Sequence, residues 1–280
     1  MSAFLEIKDL TIRAKGDGRV LVDNLSLSLE KSRKLAILGE SGSGKTMTSL
    51  SVLNILPSSV DKVTGDIIID GKDTSTFTDD DWRQLRNSIV SMVLQNPISA
   101  FDPVITIRSH FKETMGSHGL DTSNEALTEN AAAHLKEAGF EDPIPVLSLY
   151  PFQMSGGMLQ RVMMALALIT QPQLLIADEA TTDLDVVTQA QVLELIADRV
   201  ESRHMSLLLI THDLSVAAKL ADDVMVMRQG KVLETGTIQH IFENPTDDYT
   251  KELLKAHTEL YNQRFVKFMN YIEEKEPCPK

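Results

Sequence analysis

The chain has 280 residues, enough for one large domain or two modest ones with a sizeable buried core. Hydrophobic content of 42% and charged content of 24% are those of an ordinary globular protein, and a net charge of −13 argues against a broad nucleic-acid face, which needs clustered cations. The single cysteine, Cys278, rules out an intrachain disulfide and any cysteine-based metal or iron–sulfur site, so a cytosolic setting is expected.

The first residues, MSAFLEIKDL, lack the basic start and long apolar core of a signal peptide, and no run of about 18 or more apolar residues is present to span a bilayer. FLEIKDLTIRA and NLSLSLE alternate apolar and polar residues and predict strands with one buried face. KLAIL (34–38) is a short solid apolar run, as in a strand buried on both faces of a parallel sheet. MTSLSVLNIL predicts a helix, and GDIIIDGK a strand ending at an Asp-Gly turn. From Gln95 to about Gln171 the spacing is helical, with prolines in the connections. Strands and helices then alternate: QLLIAD, VTQAQVLELIADRVESR, SLLLITHD and LSVAAKLA, followed by a hairpin turning at Gln229-Gly230. Such alternation implies a parallel α/β sheet. From about Tyr249 the chain reads as a polar helix, fraying toward its EEKEPCPK end.

GESGSGKT (39–46) lies between the KLAIL strand and the next helix and matches the phosphate-loop pattern. Gly39, Glu40, Ser41, Gly42, Ser43 and Gly44 would turn backbone N–H groups toward a polyphosphate, with the helix N-terminus behind them. Lys45 would reach the β and γ phosphates, and Thr46 would put its hydroxyl on Mg²⁺. LLIAD (174–178) ends a buried strand in an acid, the position from which Asp178 would hold the magnesium through water. Glu179 would polarise a water for attack on the γ phosphate. Alone, two adjacent acids after a strand read better as a helix cap; paired with an upstream phosphate loop they do not. The seven histidines are scattered without ligand spacing and read as surface or core, except His212.

MSGGMLQR (154–161), VLQNP (93–97) and ITHD (210–213) complete an ordered series: phosphate loop, strand-end Gln95, SGG motif, acid pair, strand-end His212. In that order they resemble the ATPase subunit of an ABC transporter, over nearly the whole chain. The resemblance implies an α/β, P-loop NTPase (RecA-like) parallel-sheet core with an N-terminal antiparallel β-subdomain and an inserted α-helical signature subdomain. The ATPase domain would cover 1–255, its helical part about 96–171, leaving a helical tail at 256–280. Two such subunits would bury two ATP molecules head to tail, each between one phosphate loop and the partner's Ser155-Gly156-Gly157. Gln95 would contact Mg²⁺ or the attacking water and sense the transmembrane partner, His212 would hydrogen-bond the γ phosphate and orient Glu179, and Asp185 would cross the dimer. Asp183 is expected only to help start the following helix.

The sequence departs from the family in three places. The stretch LTIRAKGDGRVLV has no aromatic to stack on adenine, leaving Arg13 or Arg19 as the planar groups. Met154 and Met158 occupy the outer positions of the signature, and Ala180 stands where proline is common. None of these touches the γ phosphate, so hydrolysis is expected to survive. NPISAFDPVITI, YPFQMSGGMLQRVMMALAL, DEATTDLDVVTQAQVLELI and ENPTDDYTKELL are similar to the dipeptide–oligopeptide–nickel branch of ABC importers, and MSGGM and KAHTELY to nickel and metal–opine members. Metal or metal-chelate cargo is the expectation, peptides the alternative. The resemblance implies two transmembrane permease subunits, a second and different ATPase subunit, an extracellular substrate-binding protein, no nucleic acid, and a peripheral place on the cytoplasmic face of the membrane. A soluble family member acting on ribosomes or DNA would carry two cassettes, a long coiled coil or a zinc insertion, and none is visible here.

Overall fold

Alternation in the solid apolar strands decides the layering. In a computed structural model describing residues 3–182 and 184–257, Leu35 and Ile37 of one strand pack into one core cluster, and Ala36 and Leu38 into another on the opposite face. Both sheet faces are therefore buried, as solid rather than alternating apolar runs require.

The elements run β1 (Ala3–Ala14), β2 (Val20–Glu30), β3 (Lys34–Leu38), α1 (Lys45–Val52), β4 (Val60–Ile69), β5 (Lys72–Asp73), α2 (Asp79–Ser88) and β6 (Val90–Val93). Helices α3 (Ile107–Ser117), α4 (Asn124–Glu137), α5 (Pro143–Val146) and α6 (Gly156–Leu168) follow. The chain then forms β7 (Leu174–Asp178), α7 (Val186–Ser202), β8 (Ser206–Thr211), α8 (Leu214–Leu220), β9 (Asp223–Arg228), β10 (Lys231–Thr237) and α9 (Ile238–Glu243), and a further helix starts at 248.

One sheet has the order β2-β1-β4-β5 and is antiparallel; the other has the order β10-β9-β3-β8-β7-β6. Within the second, β9, β3, β8, β7 and β6 are parallel, and only the edge strand β10 runs antiparallel to β9. The antiparallel sheet supplies Leu5, Ile7, Leu25 and Ile67 to the first core, while helices α3, α4, α6, α7 and α8 cover the other face.

The hairpin between β9 and β10 turns at Gln229 and Gly230, both with positive φ, as expected. Helix α1 is shorter than predicted. It stops at Val52, because Asn54 adopts the left-handed conformation (φ 53°) and Pro57 follows, so Asn54-Ile55-Leu56 leave the helix. Helix α2 was not expected. Its start is a capping box in which the Thr78 hydroxyl accepts from the Asp81 N–H and the Asp81 carboxylate accepts from the Thr78 N–H. The tail beyond 257, including EEKEPCPK, lies outside the described residues.

Candidate active site

Parallel strands expose their carboxyl ends along one edge, and that edge gathers groups far apart in sequence. β3 runs into the phosphate loop, β7 ends at Asp178, β8 is followed directly by His212, and Gln95 stands two residues past β6. Strand order places β7 between β8 and β6, so the acid pair lies between the histidine and the glutamine.

The loop from 39 to 46 depends on glycine at two points. A Cβ on Gly39 (φ 157°) would lie 2.2 Å from the Met227 carbonyl oxygen, and one on Gly44 (φ 104°) 2.5 Å from that of Leu21. The loop is thus pressed against β9 and β2, and Ser43 is tied to the β9–β10 turn by the Gly230 N–H donating to its carbonyl at 3.0 Å. Lys45, 3% exposed, donates to the carbonyls of Gly39 (2.8 Å) and Glu40 (2.9 Å). Burial lowers its pKa from the ordinary value, opposed by the nearby charges of Glu179, Asp178 and Glu40. A buried ammonium held by two loop carbonyls and facing Glu179, beside a concave backbone turn and a helix N-terminus, is a fitting receptor for phosphate.

Asp178 is 4% exposed and accepts from the Thr46 hydroxyl at 3.2 Å. Its pKa is raised to about 6, chiefly by burial and with help from Glu179, against the Thr46 hydrogen bond and Lys45. These two hard oxygens suit Mg²⁺, which takes one or two protein oxygens and fills its shell with water and phosphate.

Glu179 has an unusual backbone, with φ 47° and its N–H donating to the Ile210 carbonyl at 2.9 Å. Its Oε2 accepts from Gln95 Nε2 (3.2 Å) and the Thr182 hydroxyl (3.3 Å) and lies 3.3 Å from His212 Nδ1, while Oε1 is 3.8 Å from Lys45 Nζ. Lys45, Thr46, Gln95, Asp178, Glu179 and His212 therefore form one connected cluster. Thr182 joins them unforeseen; its only sequence signal is its place three residues after the acid, within turn reach.

Ser155, Gly156 and Gly157 are not part of this cluster: no hydrogen bond or ion pair among the described residues links them to it. They begin α6, where Ser155 Oγ caps the helix by accepting from the Met158 N–H at 3.2 Å. A Cβ on Gly157 would lie 2.1 Å from Thr188 Cγ2 of α7, so glycine here permits close helix contact. Asp185 is also separate. Its carboxylate accepts from the N–H groups of Val187 (3.1 Å) and Thr188 (3.0 Å) and from the Thr188 hydroxyl (2.6 Å), and Thr188 above all lowers its pKa. Asp185 is the N-cap of α7; Asp183 lies outside the described residues.

Beside the loop a cavity of about 550 Å³ is lined by Arg19, Val20, Leu21, Met47, Pro57 and Val60, and reaches Gly42, Gly44 and Thr46. It has the position and size for a base and ribose. Arg19 lines it and Arg13 does not; Ser59 and Gln229 add polar groups to largely aliphatic walls, and no aromatic ring is among the lining residues.

Comparison with known proteins identifies the family. The family model described as ABC transporter matches residues 22–182. The nickel import ATP-binding protein NikD of Brucella abortus biovar 1 is 45% identical over 260 residues, 92% of this chain and 96% of that one. The peptidoglycan transport ATP-binding protein YejF of Agrobacterium fabrum is 41% identical over 90% of this chain, which spans 46% of it. Among solved structures, the dimeric ATP-binding cassette MJ0796 in a post-hydrolysis state with ADP and Pi has a TM-score of 0.73 at 25% identity, covering 84% of this chain and 98% of that one. CbiO1 of Clostridium perfringens, part of an ABC transporter complex, shares the fold with a TM-score of 0.73 at 21% identity, covering 96% and 100% of the two chains. A phosphate loop, an acid pair and a strand-end histidine joined on one sheet edge, together with these likenesses, show that the chain belongs to the ABC transporter family, as one of its ATPase subunits.

Proposed function

We propose that the chain is the ATP-hydrolysing motor of an importer that takes up a metal ion or metal chelate. The observation that carries the hydrolytic role is the Glu179 carboxylate, held by Gln95, Thr182 and His212 on one oxygen and facing Lys45 with the other. The base of ATP occupies the cavity beside Arg19, and its phosphates lie over residues 39–46. Lys45 exchanges the Gly39 and Glu40 carbonyls for the β and γ phosphates. Glu179 takes a proton from the water that attacks the γ phosphorus; the bond to the β-phosphate oxygen breaks, and ADP and phosphate leave. Gln95 and His212 keep the carboxylate aimed. Thr46, Asp178 and Gln95 would hold magnesium, which would neutralise charge on the phosphate oxygens.

The separation of Ser155-Gly156-Gly157 from this cluster supports a second subunit, whose ATP they would cover with the N-terminus of α6. Asp185 would contact that subunit, and the flanking Val186 and Val187, 81% and 67% exposed, are apolar surface that such a partner would cover. We divide the chain into an ATPase domain at 1–255, with the helical part at about 96–171, and a tail at 256–280. The motor works peripherally on the cytoplasmic face with two permease subunits, a different ATPase subunit and an extracellular binding protein.

Identity to a nickel import protein favours metal cargo; dipeptides or oligopeptides are the second reading, favoured by the likeness to a peptidoglycan transport protein. The test is to isolate the chain from native membranes and assay the recovered complex with metal chelates and short peptides. Permeases and chelate-stimulated turnover are the expected result. Recovery with ribosomes overturns the transport reading, and peptide-only stimulation the choice of cargo.

A further inference from the structure

The strand pairing that leads to Gln95 stops short of it. β6 is an edge strand, paired with β7 alone, and its register ends at Val93 opposite Ala177. Where a ladder stops, the next backbone groups need other partners. Two side chains of α6 supply them for Leu94. The Leu94 N–H donates to Met163 Sδ at 3.3 Å, and the Leu94 carbonyl accepts from Gln160 Nε2 at 3.3 Å. Gln160 and Met163 stand three residues apart, so they lie on one face of the helix.

Packing alone does not explain Gln160. It is 1% exposed, and its amide oxygen is buried without a hydrogen-bond partner among the described residues. An unpartnered buried acceptor is destabilising, and an apolar side chain of similar length would avoid it. The bond to Leu94 is the one side-chain hydrogen bond of Gln160 among the described residues, so that bond is what its polarity achieves. Met163 is buried in the core cluster on the helix-covered face, where leucine would fill the same space. Its thioether adds an acceptor that leucine lacks.

What the two side chains hold is the residue before Gln95. Gln95 is exposed and has left the sheet, so where Leu94 sits sets the approach of its Nε2 to Glu179 Oε2, now 3.2 Å. We propose that Gln160 and Met163 are positioning residues for Gln95, acting through the backbone of Leu94. This rests on the ATPase reading above, in which Gln95 keeps the Glu179 carboxylate aimed. Among the described residues neither side chain is hydrogen-bonded to the loop from 39 to 46, and neither lines the cavity beside it. Disturbing them therefore slows turnover and leaves nucleotide binding alone.

The test uses the full chain in its assembled complex, with ATP and magnesium. Met163→Leu and Gln160→Met each remove one bond while nearly conserving side-chain volume. Each should lower kcat about two- to tenfold, the range of one lost hydrogen bond, with the KM for ATP unchanged. Gln95→Ala should also lower kcat, and in that background Met163→Leu should have no further effect, because the group it positions is gone. Contacts that only hold α6 to the sheet would cost the same factor in both backgrounds. Hydrogen exchange over residues 90–97, measured without nucleotide, is independent of turnover and should speed up in Met163→Leu, which frees the Leu94 N–H. Unchanged kcat in Met163→Leu, an equal loss in the Gln95→Ala background, or unchanged exchange overturns the proposal; this holds even where Gln160→Met fails to fold. Absence of turnover in the wild-type complex, or undiminished turnover in Gln95→Ala, would instead defeat the reading of the ATPase site, which separates the two failures.

Discussion

Glu179→Gln isolates proton transfer from everything else the site does. The substitution keeps side-chain volume, and a glutamine can turn its carbonyl oxygen toward Gln95, Thr182 and His212, which lie 3.2, 3.3 and 3.3 Å from the present Oε2. The base is lost, which should lower kcat by about 10²–10⁴-fold, equivalent to about 3–5 kcal/mol of barrier. A negative charge 3.8 Å from Lys45 is lost as well. At an effective dielectric of about 20 that attraction is worth about 4 kcal/mol. Lys45 is then freer to turn to phosphate, and repulsion between the carboxylate and the γ phosphate disappears. ATP should therefore bind at least as tightly as in the wild type. Phosphate release and fluorescent-ATP titration on the assembled complex measure the two effects separately. Undiminished turnover refutes Glu179 as the base, and loss of ATP binding alongside turnover shows that the carboxylate holds the site together.

Further predictions concern the cap of the C-terminal segment, the base cavity and the contact between α6 and α7. Burial would raise the pKa of Glu234, but hydrogen bonds from Thr246 and Asp247 hold it at about 2 against an ordinary 4.5. A depressed acid contributes its stability above the unfolded value and loses it as pH falls through the folded one. Its share, about 3 kcal/mol at neutral pH, should vanish between about pH 4.5 and 2. Glu234→Gln should flatten that part of the denaturation profile, and an unchanged profile refutes the assignment. Arg19→Ala should raise the KM for ATP by a few-fold to about thirtyfold, since cation–π stacking is worth about 0.5–2 kcal/mol; unchanged KM excludes stacking. Gly157→Ala should cost about 1–3 kcal/mol through overpacking against Thr188. Adding Thr188→Ser removes the methyl 2.1 Å from the new Cβ and should restore most of the melting temperature; no recovery would place the strain elsewhere.

The core motifs were legible because each is local. A phosphate loop needs a buried strand, closely spaced glycines and a helix N-terminus within a dozen residues, and KLAIL-GESGSGKT-MTSL carries all of them in the chain itself. The solid apolar strands were legible for a similar reason: burial on both faces removes the polar alternation that a half-exposed strand needs. Helix α2 was missed because it buries only Trp82 and Leu85, too few apolar positions to show a helical period, and its start rests on the cap between Thr78 and Asp81. The end of α1 was overrun because apolar residues continue past the left-handed Asn54, and backbone handedness leaves no mark in a periodicity.

By itself the sequence determined the strand and helix types, the phosphate loop, the acid pair and the family, all of which depend on residues near one another in the chain. The tertiary structure alone decided that Gln95 and His212 converge with Thr182 on one oxygen of Glu179, and that Arg19 rather than Arg13 lines the cavity beside the phosphate loop. The physical reason is strand order. Neighbours in a parallel sheet are set by crossovers and packing, so Thr46 and Asp178 meet across 132 residues of chain and Gln95 and Glu179 across 84, and no local pattern records their meeting.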